Sequence, residues 1–227
     1  MHLLLMFVFV LLLVFAPGWW VRNVMSRYSS PADRYDGTGG ELARYLLDSF
    51  DLVHVKVEET PEGDHYDPRD KVIRLTPEKL NGRSLTAVTV AAHEVGHALQ
   101  DATGYAPLRM RSQLVMLTQP VQRLGAGILV AAPFVGMLTR APLVGLLMIV
   151  GGLMSLGATT LVHLVTLPTE LDASFKRALP MLEKDGILKE VDLPHARRLL
   201  TAAALTYLAA SLASLLNIAR WWALLRR

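Results

Sequence analysis

Ser84-Leu85-Thr86-Ala87-Val88-Thr89-Val90-Ala91-Ala92-His93-Glu94-Val95-Gly96-His97-Ala98-Leu99-Gln100 carries the strongest signal in this chain. Ser84 suits a helix N-cap, the run contains no proline, and Ala, Val and Leu recur on every side, which predicts a helix buried nearly all round. Two histidines and a glutamate in such a helix must have their polar atoms satisfied, and a metal ion does this economically. Positions i and i+4 of a helix lie one above the other, so His93 and His97 can aim two imidazole nitrogens at one tetrahedral Zn2+. Glu94 is offset by one position. Its carboxylate is expected to take a proton from the zinc-bound water and pass it to the leaving amine. The spacing predicts a catalytic zinc site that hydrolyses peptide bonds.

Outward from that helix, composition sets the surroundings. Hydrophobic residues make up 52% of the 227, and mean hydropathy is +0.34. The apolar residues fall in blocks, which predicts membrane segments. Leu3 to Trp20 ends in the pair Trp19-Trp20 and reads as a retained anchor over 1–20, because no basic residue precedes it and no small-x-small cleavage site follows. Leu124 to Thr139 and Pro142 to Leu167, with only Arg140 and Ala141 between, read as a membrane hairpin over 124–167. Leu199 to Ala219, closed by Arg220-Trp221-Trp222, reads as a last span within 199–227, either crossing or buried among the others. If all four cross, Lys and Arg concentrate on the side of Arg22, Arg109 and Arg177, which puts the catalytic face in the cytoplasm of a bacterial plasma membrane. The sequence has no cysteine, which excludes thiolate ligands and disulfides. A pI near 9.3 with net charge +3 suits an anionic membrane surface, and no basic-aromatic array points to nucleic acid.

Residues 21–123 have ordinary globular composition and are expected to form the zinc domain. Glu41 to Phe50 repeats apolar residues at helical spacing after the punctuation of Gly37-Thr38-Gly39-Gly40. Val53, Val55 and Val57 alternate with polar residues as a half-buried strand does, Glu62 to Pro68 reads as an acidic turn, and Val72 to Leu75 reads as a second strand before the helix start Thr76-Pro77-Glu78. The predicted class is α+β, mostly α.

A catalytic zinc needs a third protein ligand and an open position. His65, Asp101, His163, Glu170, Asp172, Glu183 and His195 are the candidates. Glu170 is best placed, since the hairpin returns the chain to the face it left and residues 168–198 follow, with Pro168 suited to a first helical turn. A plain acid in the first turn of a helix is the competing account, and Asp172 would serve that equally well. His65 and His195 lie in turn-like contexts and are expected to face solvent. Tyr207 is weighed as an oxyanion donor and set aside as a packing residue.

His93-Glu94-Val95-Gly96-His97-Ala98-Leu99-Gln100-Asp101, Leu167-Pro168-Thr169-Glu170, Asp64-His65-Tyr66-Asp67-Pro68 and Ala202-Ala203-Ala204-Leu205-Thr206-Tyr207 together resemble the YugP-type neutral zinc membrane metallopeptidases. The resemblance covers nearly the whole chain. It implies a gluzincin-type domain, with His93, His97 and Glu170 on zinc and Glu94 as base. More distantly the layout is similar to HtpX-type membrane proteases, in which an Asp often stands four residues after the ligand Glu. Here that position is Ser174, which leaves open what orients His93, with Asp101 and Asp172 as candidates. The expected substrate is unfolded or membrane-proximal polypeptide at a lipid bilayer; the alternative is a catalytically idle, zinc-stabilised membrane scaffold or assembly factor.

Overall fold

The structure is a computed structural model that describes residues 2–139, 142–206 and 209. Side chains at some positions of α1, α5 and α6, His163 among them, are outside that description. The chain divides into two compact units. One comprises residues 19–109 and 167–206; the other comprises 1–18, 110–166 and 207–227.

The first unit begins with the last turns of α1 (His2–Arg27) and continues into α2 (Gly39–Ser49). Thr38 starts α2 with a full capping box: its hydroxyl accepts from the Glu41 amide at 3.1 Å while the Glu41 carboxylate accepts from the Thr38 amide at 2.8 Å. A three-stranded sheet follows in the order β1-β3-β2, from β1 (Lys56–Glu59), β2 (His65–Asp67) and β3 (Val72–Leu75). Strand β3 pairs parallel with β1, Val57 opposite Ile73, and antiparallel with β2, Tyr66 opposite Ile73. Strand β3 matches the expected Val72–Leu75. The expected strand at Val53–Val57 instead begins at Lys56, because the ladder starts where the Lys56 amide reaches the Lys71 carbonyl at 3.0 Å; Val53 is exposed. Part of the expected acidic turn is β2, held by its partner strand.

A short α3 (Pro77–Leu80) leads to α4 (Leu85–Ala102), which carries the metal motif. Ser84 caps α4 as expected, its Oγ accepting from the Ala87 amide at 3.2 Å. Every residue from Leu85 to Gln100 is buried except the half-buried Leu99. The rest of this unit comes from the end of α6 (Pro142–Leu171), a π-helix (Asp172–Ala178), α7 (Leu179–Glu183) and a helix over 193–206, here α8. Pro168 does not start a helix; α6 runs through it to Leu171. The wide π turns then continue until the Leu179 amide donates to the Ser174 carbonyl, five residues back. Pro180 has no amide to extend that pattern. Leu47, Ile73, Leu75, Leu182, Leu199 and Leu200 are the large side chains at the centre of this core.

In the second unit α5 (Ala106–Thr139) and α6 approach closely at two glycines: a Cβ on Gly145 would lie 3.4 Å from the Gly136 Cα. The expectation of an integral membrane protein with four membrane helices is corrected here: among the described residues no helix is long and apolar enough to cross a membrane. A crossing takes about 20 consecutive apolar residues. In α5 the sequence places Arg109, Arg111, Gln113, Gln119, Gln122 and Arg123 before Leu124, which leaves too short an apolar remainder. Leu199 and Leu200, expected to open the last span, lie fully buried in the first unit, and positions 207–208 and 210–227 are outside the described residues. The side assignment from Lys and Arg depended on four crossings and falls with them.

Candidate metal centre

Helix α4 and the segment that follows α6 face each other in the first unit, and a glycine sets their separation. A Cβ at Gly96 would lie 2.7 Å from the Ala173 carbonyl oxygen, so only hydrogen lets the two backbones come this close. His93 and His97 flank Gly96 on one side of this seam; Glu170 and Ser174 flank Ala173 on the other.

The functional atoms converge across it. His93 Nε2 is 3.3 Å from Glu170 Oε2, and His97 Nε2 is 3.2 Å from the same oxygen. The two imidazoles meet edge to face, centroids 4.7 Å apart. All three side chains are buried, Glu170 completely. These are the only described residues that form a His/Cys/Asp/Glu group able to hold a metal ion, with ligand atoms within 4.8 Å of one another. Glu94 follows His93 on α4 and is buried as well.

The outer faces of both rings favour one tautomer. Ser174 Oγ donates to the Leu200 carbonyl at 3.2 Å and so accepts from His93 Nδ1 at 3.1 Å. Gln100 Nε2 donates to the Thr169 carbonyl at 2.8 Å and to Asp172 Oδ2 at 2.9 Å, which turns its amide oxygen toward His97 Nδ1 at 3.0 Å. With hydrogen on Nδ1 of each ring, both Nε2 lone pairs are available to a metal ion beside the buried Glu170 carboxylate. Three acceptors facing one point call for a cation. Donors about 2.0–2.1 Å from a tetrahedral zinc lie roughly 3.3 Å apart, the separation seen here. The residues fit the metal that the motif implies.

The other candidate ligands are engaged elsewhere. Asp101 accepts from the Tyr66 hydroxyl at 2.6 Å and pairs with Lys71, tying β2 and its neighbour to the end of α4; burial, then this carboxylate, pushes the Tyr66 phenol up. Asp172 binds Arg177 at 2.8 Å, one π turn on. Burial works to raise the Asp172 carboxyl, but the Arg177 and Gln100 hydrogen bonds outweigh it and hold the group below the usual carboxylate range. Glu183 pairs with Arg197 at 2.9 Å near the surface. His65 is half-buried in β2 rather than solvent-facing, its Nδ1 against the Gly63 carbonyl at 2.8 Å; His195 is exposed and meets the Tyr28 hydroxyl at 3.2 Å. Tyr207 is outside the described residues. Sequence reasoning passed over Gln100, whose signals were its place three residues after His97 and its position on a buried helix. It also left Ser174 without a role.

The comparisons agree with this geometry in kind. Residues 3–226 match the family described as "Putative neutral zinc metallopeptidase". The chain is 34% identical over 224 residues to "Putative membrane protease YugP" of Bacillus subtilis (strain 168), covering 96% of this chain and 95% of that protein. No solved structure matches the chain significantly. With a family match that spans almost every residue and includes the buried His93, His97 and Glu170 group, this chain belongs to the neutral zinc metallopeptidase family so described.

Proposed function

We propose that this chain is a zinc-dependent metalloendopeptidase in which His93, His97 and Glu170 hold one Zn2+ and Glu94 transfers protons. The observation that carries the reading is the convergence of two imidazole Nε2 atoms from α4 and one carboxylate oxygen from α6 at 3.2 and 3.3 Å, with a buried Glu94 beside the histidines on α4. Zinc bound there would supply Lewis acidity, polarising the scissile carbonyl and lowering the pKa of a bound water toward about 7.

The chain's own residues do the rest. Glu94 accepts the proton of the attacking water on a carboxylate oxygen and delivers it to the departing amine nitrogen, so neither charge accumulates in a buried site. Ser174 and Gln100 keep both Nε2 lone pairs available by holding the Nδ1 hydrogens. Glu170 contributes one negative charge, which offsets half that of a divalent ion and favours its retention.

The substrate in this reading is unfolded or membrane-proximal polypeptide. Membrane association is supported by the name of the Bacillus subtilis relative and by exposed Phe134, Met137 and Leu138 on α5 and Leu143, Leu146 and Leu147 on α6, apolar side chains that a lipid surface would take out of water. The test is zinc content and hydrolysis of unfolded casein on the same preparations. Glu94→Gln is expected to keep zinc and lose about 10²-fold or more in hydrolysis, while His97→Ala loses both. Full activity in Glu94→Gln refutes the mechanism; zinc without hydrolysis in the native chain leaves the zinc-stabilised scaffold.

A further inference from the structure

Gln100 is fully buried, yet its amide makes three hydrogen bonds to three different parts of the site. Its oxygen faces His97 Nδ1; one N–H goes to the carbonyl of Thr169, the residue before Glu170, and the other to Asp172. A flipped amide would set its oxygen against a carbonyl and a carboxylate and its NH2 against a ring N–H. Two acceptors therefore lock the orientation, and the orientation selects the tautomer of His97. Asp172 is itself held by Arg177 at 2.8 Å, and the Arg177 guanidinium lies 5.6 Å over the Tyr105 ring. Tyr105 closes the circuit at the end of α4, its amide donating to the Gln100 carbonyl at 2.9 Å.

We propose that Gln100 is a positioning residue of the metal centre, fixing the His97 tautomer and the Glu170 backbone together, and that Asp172 and Arg177 act on the metal only through it. This rests on the zinc reading above. Removing a residue that orients a metal ligand through a hydrogen bond commonly changes metal affinity about 10–100-fold. A neutral amide does this here without adding a third negative charge beside Glu170 and Asp172.

The test is a double-mutant cycle on the full chain, freed of metal, with zinc affinity read by competition against a chromophoric chelator and the ligand field read from the Co2+-loaded absorption spectrum. Gln100→Leu is expected to weaken zinc about 10-fold or more and to shift the Co2+ bands. Asp172→Ala is expected to weaken zinc about 10-fold alone, but less than about 3-fold when added to Gln100→Leu, because its route to the metal is already gone. Equal costs of Asp172→Ala in both backgrounds, or native affinity and spectrum in Gln100→Leu, overturn the proposal. Should Gln100→Leu fail to fold, Arg177→Met at the outer end of the network decides: zinc weakened about 3-fold or more supports it, native affinity overturns it. A native chain that binds no zinc fails the underlying reading instead, and so is distinguishable from failure of the network alone.

Discussion

Gly96→Ala isolates the seam on which the metal centre depends. In a helix interior this change alone would favour folding by about 0.8–1 kcal/mol, since glycine is the poorer helix former. The structure predicts the opposite sign. The added Cβ would meet the Ala173 carbonyl oxygen at 2.7 Å and its carbonyl carbon at 3.3 Å, and these are backbone atoms of the π-helix that cannot rotate aside. Restoring ordinary contact needs a shift of roughly 0.7 Å between α4 and the Glu170 segment. That displacement would open the separations of 3.2 and 3.3 Å toward roughly 3.9 Å, equivalent to metal–ligand bonds of about 2.4 Å, outside the zinc–imidazole range. Overpacking of this kind costs about 1–3 kcal/mol. The expected outcome is a lower thermal midpoint in the metal-free chain and zinc affinity reduced about 10-fold or more, measured by chelator competition. Gly127→Ala on α5 is the control, because a Cβ there meets nothing within 4 Å and only the propensity gain remains. Native zinc affinity and a raised midpoint in Gly96→Ala would refute the close-approach argument.

Three further outcomes follow from particular contacts. Glu170→Ala should reduce zinc stoichiometry sharply and hydrolysis with it, whereas Glu183→Ala, whose carboxylate faces Arg197 at 2.9 Å, should leave both near native in the same assays. Asp192 is buried and accepts from Arg34 Nε at 2.7 Å and the Tyr35 hydroxyl at 2.6 Å; burial opposes its ionisation, but the Arg34 and Tyr35 hydrogen bonds prevail and hold it below the usual carboxylate range. Its stabilisation is therefore fully present above an unfolded pKa of about 3.9 and is lost as pH falls through the lower folded value; denaturant titrations should show a steeper acid loss in the native chain than in Asp192→Asn, which is less stable at neutral pH by about 3 kcal/mol. Ser84→Ala removes the α4 cap and should cost about 1 kcal/mol by the same titration.

The metal helix was legible because its evidence is local: a capping serine, an unbroken apolar run, and two histidines whose spacing equals one helical turn. Strand β3 was legible for the same reason, four residues that include the β-branched Val72 and Ile73 between turn signals. Strand β1 was misplaced because Val53, Val55 and Val57 carry the right alternation, but the ladder is decided by the distant Lys71 carbonyl. The π-helix has no local signature beyond Pro180, which ends it; its wide turns come from packing against α4 at Gly96 and Ala173. Gln100 escaped notice because an amide carries no charge to flag it, and its importance exists only once Thr169 and Asp172 are brought beside it. Hydropathy blocks alone led to four spans; at Leu199 and Leu200 the same apolar content serves a protein core, since periodicity does not distinguish lipid from side chains as the neighbour.

X-ray absorption at the zinc K-edge of the metal-loaded chain tests the central claim most directly. The account predicts a four-coordinate shell of nitrogen and oxygen at about 2.0–2.2 Å, with outer-shell scattering from two imidazoles. A six-coordinate oxygen shell, or outer-shell scattering from fewer than two imidazoles, would contradict it.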